Sequence, residues 1–282
     1  MVDPIRFVTL MAEIVPLLNA RARDLNDQDA FTLMMDLAEL GAITLFDKVV
    51  TDKSGKITSH RPGMQTKIVP VVAGIPFLRA NDQNKDAKGS LGAAKQPYFA
   101  PTPAFAIVLY KFAKMLVDDW GASQVVYGGI GSGGTVGVSD CHSTGHCVDF
   151  YGADTKKGNF DVRRDWWMRP VYDSAGKVHA SEGNGPTLDR WKNETNTYYR
   201  LAMSIDPKDS DAADFFAAIY KFAHEETRAE AFDVSPQLFS TGQPLKNGFI
   251  FHPDYPIKGS DRNHPGRNTH NDHIHFQLGN TR

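Results

Sequence analysis

Apolar side chains recur every three to four positions over residues 5–18 and again over 27–40, the spacing of two amphipathic helices. Asp3-Pro4 opens the first with a cap and a proline in its first turn, Pro16 is expected to bend or end it, and Gly41 stops the second. The periodicity then dissolves: residues 51–103 are rich in Gly, Pro, Lys and Asp and hold one strand-like run, 67–72. We read that stretch as a connecting region with local strands. Pro103 begins a strongly periodic helix, AFAIVLYKFAKMLVDDW, which Gly121 ends, and residues 124–130 have the β-branched and aromatic content of a strand. A polar and aromatic insertion covers 155–199, and a further helix is predicted over 209–230. Short strands are predicted at 248–251 and 273–278, the last alternating with a period of two. These elements predict an α+β fold with a small antiparallel sheet, flanking helices and an N-terminal helical extension. The change in composition divides the chain into an N-terminal region, 1–102, and a core domain, 103–282.

Composition narrows the function classes without choosing one. The 282 residues, 41% of them hydrophobic, are ample for a buried core. Lys and Arg total 31 against 33 Asp and Glu, and the resulting net charge of -2 offers no electrostatic footprint for nucleic acid or an anionic membrane. Neither is an expected partner. The N-terminus lacks the basic start, unbroken apolar run and small-residue cleavage site of a secretory signal, and no apolar run is long enough to span a bilayer. The only two cysteines, Cys141 and Cys147, are compatible with a local disulfide, with free thiols or with a nucleophile.

Those cysteines flank the first of two histidine clusters, His142-Ser-Thr-Gly-His-Cys-Val-Asp149; the second is His270-Asn-Asp-His273-Ile-His275. In a strand, His273 and His275 project from one face while Ile274 points to the other, so two imidazoles converge. His142 and Asp149 need only a turn, made permissive by Gly145, to meet that face. The outcome is a His, Asp, His set for zinc, formed by His142, Asp149 and His275, with one position open for water, whose pKa zinc lowers to about 7. His273, two positions from a ligand, is the candidate base, and His270 is placed to orient it or stabilise an oxyanion. An isolated His-x-His is more often incidental, and the coexistence of the two clusters with an Asp is what favours a site. The run Gly128-Gly-Ile-Gly-Ser-Gly-Gly134 lacks the Lys-Ser/Thr ending of a phosphate loop and reads as a flexible turn leading to the metal strand.

The pattern His142-x-x-Gly145-x-x-x-Asp149 followed by His273-x-His275 resembles the signature of the zinc peptidases that cut peptidoglycan peptides, the group of lysostaphin-type enzymes, D-alanyl-D-alanine metallopeptidases and the hedgehog fold. His270, three positions before His273, is similar to the penicillin-insensitive murein endopeptidases among them. The resemblance spans roughly residues 103–282 and implies that His142, Asp149 and His275 hold Zn2+, that His273 is the catalytic His and that His270 assists it. It implies a DD-type endopeptidase acting on peptidoglycan cross-link peptides. Two departures stand out. Many D-alanyl peptidases of the group carry an Arg on the strand and turn before the first His, whereas this chain has Tyr127-Gly-Gly-Ile-Gly-Ser132; Arg262 or Arg267 is a candidate to replace it, with a solvated loop arginine the commoner case. The insertion is also long for a minimal core, and Trp166, Trp167, Tyr198 and Tyr199 are candidates for a groove, with core packing the commoner role.

A cell-wall enzyme without a signal implies delivery by a dedicated secretion system or release by phage lysis, to act in the periplasm or cell wall as an antibacterial effector. An immunity protein or a secretion-system component would then be its protein partner. Three rival readings remain. Asp140-Cys-His-Ser143 resembles the nucleophile segment of NlpC/P60 cysteine peptidases, with Cys141 attacking; the late His- and Asn-rich run suggests an HNH nuclease, against the charge balance; and the zinc could be structural in a non-catalytic binding module, with His146 as a fourth ligand.

Overall fold

The computed structural model describes residues 4–80, 97–130, 141–166, 169, 209–227, 249–251 and 273–279. Helix α1, Pro4–Asn19, and α2, Asp27–Glu39, form where the periodicity predicts them. Pro16 does not end α1: it lies in the last turn, where losing one backbone donor disturbs little, and its carbonyl still accepts from Ala20 N at 3.2 Å. Asn26 caps α2 by accepting from Asp29 N, and Asp27 and Asp29 place negative charge at the positive end of the helix dipole. Leu10 and Ile14, one turn apart, are buried in the same core as Phe31 and Met34 of α2.

Strands β1 (Ile43–Leu45), β2 (Ile68–Val72) and β3 (Ile75–Arg79) follow as an antiparallel run. Only β2 is legible as a strand beforehand. Its return, β3, is made by a two-residue turn in which Ala73 and Gly74 both take positive φ, the backbone that matches the twist of a hairpin. Helix α3, Pro103–Trp120, then crosses over to β4, Gln124–Tyr127, which pairs with β3 in parallel. Thr102 caps α3, Pro103 occupies its first position, and Gly121 ends it in the left-handed conformation. Nearly every face of α3 is buried, as expected of a helix lying between a sheet and other helices.

A short helix, α4 (Cys141–Thr144), precedes β5, Cys147–Thr155, the longest strand. Strand β5 pairs with β4 along one edge; along the other its first half pairs with β8 (Ile274–Gln277) and its second half with β6 (Gly158–Asp161). Strand β7, Phe249–Phe251, closes the far edge. The short α5, Val162–Asp165, follows β6, and α6, Ser210–Thr227, packs beside α3. The fold is therefore α+β with an N-terminal helical segment, as predicted, but the sheet is neither small nor wholly antiparallel. Among the described residues it has eight strands in the order β1-β2-β3-β4-β5-β8-β7, with β6 beside β5 and one parallel pair. Residues 1–102 and 103–282 contribute to this one sheet and to one continuous hydrophobic core.

Aromatic packing on the helical side of the sheet holds the strands in register. The ring of Phe112 on α3 meets Phe150 of β5 and Phe276 of β8 at 5.3 Å each, and Phe215 of α6 meets Trp120 at 5.1 Å and Phe160 at 4.6 Å. Trp166 is fully buried against Phe216, so this insertion aromatic packs in the core; Trp167, Tyr198 and Tyr199 lie outside the described residues. Among the helices, Lys111 of α3 donates to both carboxylate oxygens of Glu226 on α6 and to Ala20 O, while Glu226 also accepts from Ala22 N. This network is largely shielded, with 13% and 14% of the two side chains exposed. Glu226→Ala, which strands the ammonium, should lower the unfolding free energy by about 3 kcal/mol in urea denaturation, and Lys111→Met with Glu226→Leu should recover most of that loss.

Candidate metal centre

The site stands on the sheet face opposite α3, and the register of two strands builds it. Asp149 of β5 lies directly across from His275 of β8, so their side chains share a face. Ile274 and Phe276 enter the core, and the alternation leaves His273 and His275 on the site face, 8% and 4% exposed. His142 comes from α4, whose turn into β5 is made at Gly145 with φ of 75°. Gly145 O accepts from Thr102 N, and the Gln65 amide donates to Ala100 O and Ser143 O at 2.9 Å each, which ties the α4 turn to the N-terminal part of the sheet.

Three imidazoles converge on one carboxylate. His275 Nδ1 donates to Asp149 Oδ1 at 2.7 Å, His273 Nε2 lies 3.4 Å from the same oxygen, and His142 Nε2 lies 3.4 Å from Oδ2. His142 Nδ1 donates to Gly129 O at 2.9 Å, which fixes the ring with Nε2 facing Asp149. The His273 ring lies 5.1 Å from that of Tyr151, tilted by 37°. Burial would push the Asp149 carboxyl up; the charge of His273 and hydrogen bonds from His142 and His275 outweigh it and hold the group well below the usual carboxylate range. Burial pushes the His275 imidazole down, against the pull of Asp149, so it favours the neutral form that ligation needs.

This donor chemistry fits zinc. The 3.4 Å between His142 Nε2 and Asp149 Oδ2 is what two ligand atoms on one tetrahedral ion have when each bond is about 2.0–2.1 Å, whereas His275 Nδ1 and Asp149 Oδ1, 2.7 Å apart, are at hydrogen-bond distance. Asp149, His273 and His275 form one group with ligand atoms within 4.8 Å of one another, and Cys141, His142, Cys147 and His275 form a second. Metal-ligating capacity is thus present, while the identity of the ion is not set by these residues alone. No family profile, curated protein or solved structure matches this chain.

Of the residues singled out from the sequence, His142, Asp149, His273 and His275 are brought together, and His270, Arg262 and Arg267 lie outside the described residues. The expected separation of His273 from the ligands is not visible in the distances: it is as close to Asp149 as His142 is. Cys141 is bonded to Cys147, so in this state it has no thiol with which to attack, as the cysteine-peptidase reading requires. His146 turns to Thr144 Oγ1 at 3.1 Å and belongs to neither donor group.

The glycines that precede the site have a steric role that their own sequence pattern does not show. A Cβ on Gly128 would lie 2.7 Å from Asp149 Cβ, and one on Gly129 would lie 2.9 Å from His142 Nδ1. They are spacers against two candidate ligands, a role that the neighbouring cluster could have suggested. Gly129→Ala should therefore displace His142 and weaken any divalent-metal binding at least about ten-fold in competition with a chromogenic chelator, leaving far-UV circular dichroism unchanged.

Proposed function

We propose that this protein is a zinc-dependent endopeptidase acting on peptidoglycan cross-link peptides, of the DD type. The convergence of three imidazole nitrogens on the buried Asp149 carboxylate carries the reading, because such a set offers both ligands and a proton carrier in one place. The spacing of the two histidine clusters supports the substrate class through its resemblance to the murein peptidases. His142, Asp149 and His275 are the residues assigned to hold the metal. Zinc in their grasp would polarise the scissile carbonyl and make water acidic enough to attack at neutral pH.

The protein's own groups account for the proton movements. His273 takes the proton from the attacking water, and the resulting imidazolium lies 3.4 Å from Asp149 Oδ1, where the carboxylate offsets its charge. The same ring then returns the proton to the leaving amine. Tyr151 confines the ring on one side and limits its rotation during the transfer. Among the described residues no helix is long and apolar enough to cross a membrane. The biological role we assign is that of an antibacterial effector exported by a dedicated secretion system or released by phage lysis, working in the periplasm or cell wall and restrained in its producer by an immunity protein.

Asp149→Ala and His275→Ala should each abolish stoichiometric zinc binding, measured by elemental analysis of the dialysed protein. His273→Ala should retain zinc and lose about 10²- to 10⁴-fold in hydrolysis of purified sacculi, with the wild-type fragments identified by mass spectrometry. Digestion should stop on addition of a chelator. Continued digestion by the His273→Ala protein would remove this mechanism.

A further inference from the structure

The cysteine pair is part of the same cluster as the zinc donors. Cys141 Sγ lies 3.5 Å from His275 Nε2, and the donor atoms of Cys141, His142, Cys147 and His275 all fall within 4.8 Å of one another. His275 therefore stands between two sets of partners, with Nδ1 toward Asp149 and Nε2 toward sulfur. We propose that reduction of the Cys141–Cys147 disulfide creates a second zinc site, Cys141, His142, Cys147 and His275, which takes the metal away from the Asp149 centre. This rests on the zinc reading above, since both sites draw on His142 and His275.

Both imidazoles already have the outer partners such a site needs. His275 Nδ1 donates to the Asp149 carboxylate while Nε2 faces the sulfur, a carboxylate–histidine pairing of the kind that orients a ligating imidazole. His142 Nδ1 is held by Gly129 O, which leaves Nε2 as the ligating nitrogen. The two cysteines lie on either side of the Gly145 turn, at the start of α4 and the start of β5, so their sulfurs can part with little movement of the sheet. Two thiolates and two imidazoles form a closed tetrahedral zinc set, and soft sulfur ligands bind zinc more firmly than a carboxylate does. A closed site keeps no position for water or substrate.

The chemistry balances with a dithiol as the reductant. The disulfide accepts two electrons and two protons, the S–S bond breaks to give two thiols, and the dithiol becomes a disulfide. Zinc then displaces the two thiol protons as it binds. In a reducing compartment the metal is stored without an open position; in an oxidising one, exchange with a second disulfide, which is reduced to a dithiol, re-forms the Cys141–Cys147 bond and returns His142 and His275 to Asp149.

Cobalt(II) reports the change because thiolate ligands add a charge-transfer band in the near ultraviolet that nitrogen and oxygen ligands lack. The full-length oxidised protein should bind one Co2+ without this band. After reduction with a trialkylphosphine, which takes up the oxygen of water as its oxide, the band should appear at the same stoichiometry. Zinc should dissociate at least ten-fold more slowly into a fixed chelator, and sacculus digestion should fall. Zinc should also protect both cysteines of the reduced protein from iodoacetamide, a readout that needs no variant. Cys141→Ser with Cys147→Ser should bind cobalt without the band and digest sacculi indifferently to phosphine. A reduced wild-type protein that binds cobalt with no thiolate band and leaves both cysteines open to iodoacetamide overturns the second site and spares the Asp149 centre. An oxidised protein that binds no cobalt, beside a reduced one showing the band, would instead overturn the Asp149 centre alone.

Discussion

Asp149 and His275 face each other across the antiparallel pairing of β5 with β8, and the site exists only while that register holds. A slip of one residue would turn His275 into the core and put Ile274 among the donors, because side chains alternate with a period of two. What prevents the slip is on the other side of the sheet. Phe150 and Phe276 wedge against Phe112 of α3, and Ile274 is fully buried beside them. The apolar face thus sets the polar one: dispersion and burial on the helical side fix the geometry of ionisable groups on the other.

Much of this was legible in the residues, and the misses have physical causes. The helices α2, α3 and α6 announce themselves by apolar spacing, α3 also by Pro103 at its start, and α2 and α3 by Gly41 and Gly121 at their ends. Strand β8 is visible because apolar and polar residues alternate along it, although all four of its residues are buried, and the same alternation places His273 and His275 together. Strand β3 is not, since an Ala-Gly turn is a weaker hairpin signal than Asn-Gly and Pro76 argues against a strand. The size of the sheet followed from that miss. Its parallel pair depends on a crossover through α3 that local patterning does not encode. Within the site, the identities of the donors could be read, but which nitrogen of each ring faces which partner could not. That is decided by backbone carbonyls such as Gly129 O and by a cross-strand rung, both products of tertiary structure.

Strand β5 concentrates these constraints. It supplies Asp149 to the site, Phe150 to the core and Cys147 to the disulfide, and it is the strand on which β4, β6 and β8 all pair. The small residues beside it have the complementary role: Gly128 gives way to Asp149, and Gly152 lets β6 approach closely enough that a Cβ would meet its backbone. Asp149 and His275, two of the candidate ligands, are held rigidly because they stand on paired strands, while His142 is carried by the short α4.

The hydrogen bond between Asp149 and His275 spans 126 positions of the chain. During synthesis, therefore, the N-terminal helices, the β1–β3 run and β5 can all emerge from the ribosome and begin to fold while the donor set is still incomplete. Only when β8 has emerged and inserted between β5 and β7 do the imidazoles meet the carboxylate. Closing so long a loop costs entropy that aromatic packing on α3 must offset, so the donor set is completed late in biosynthesis, and a partly made chain lacks it.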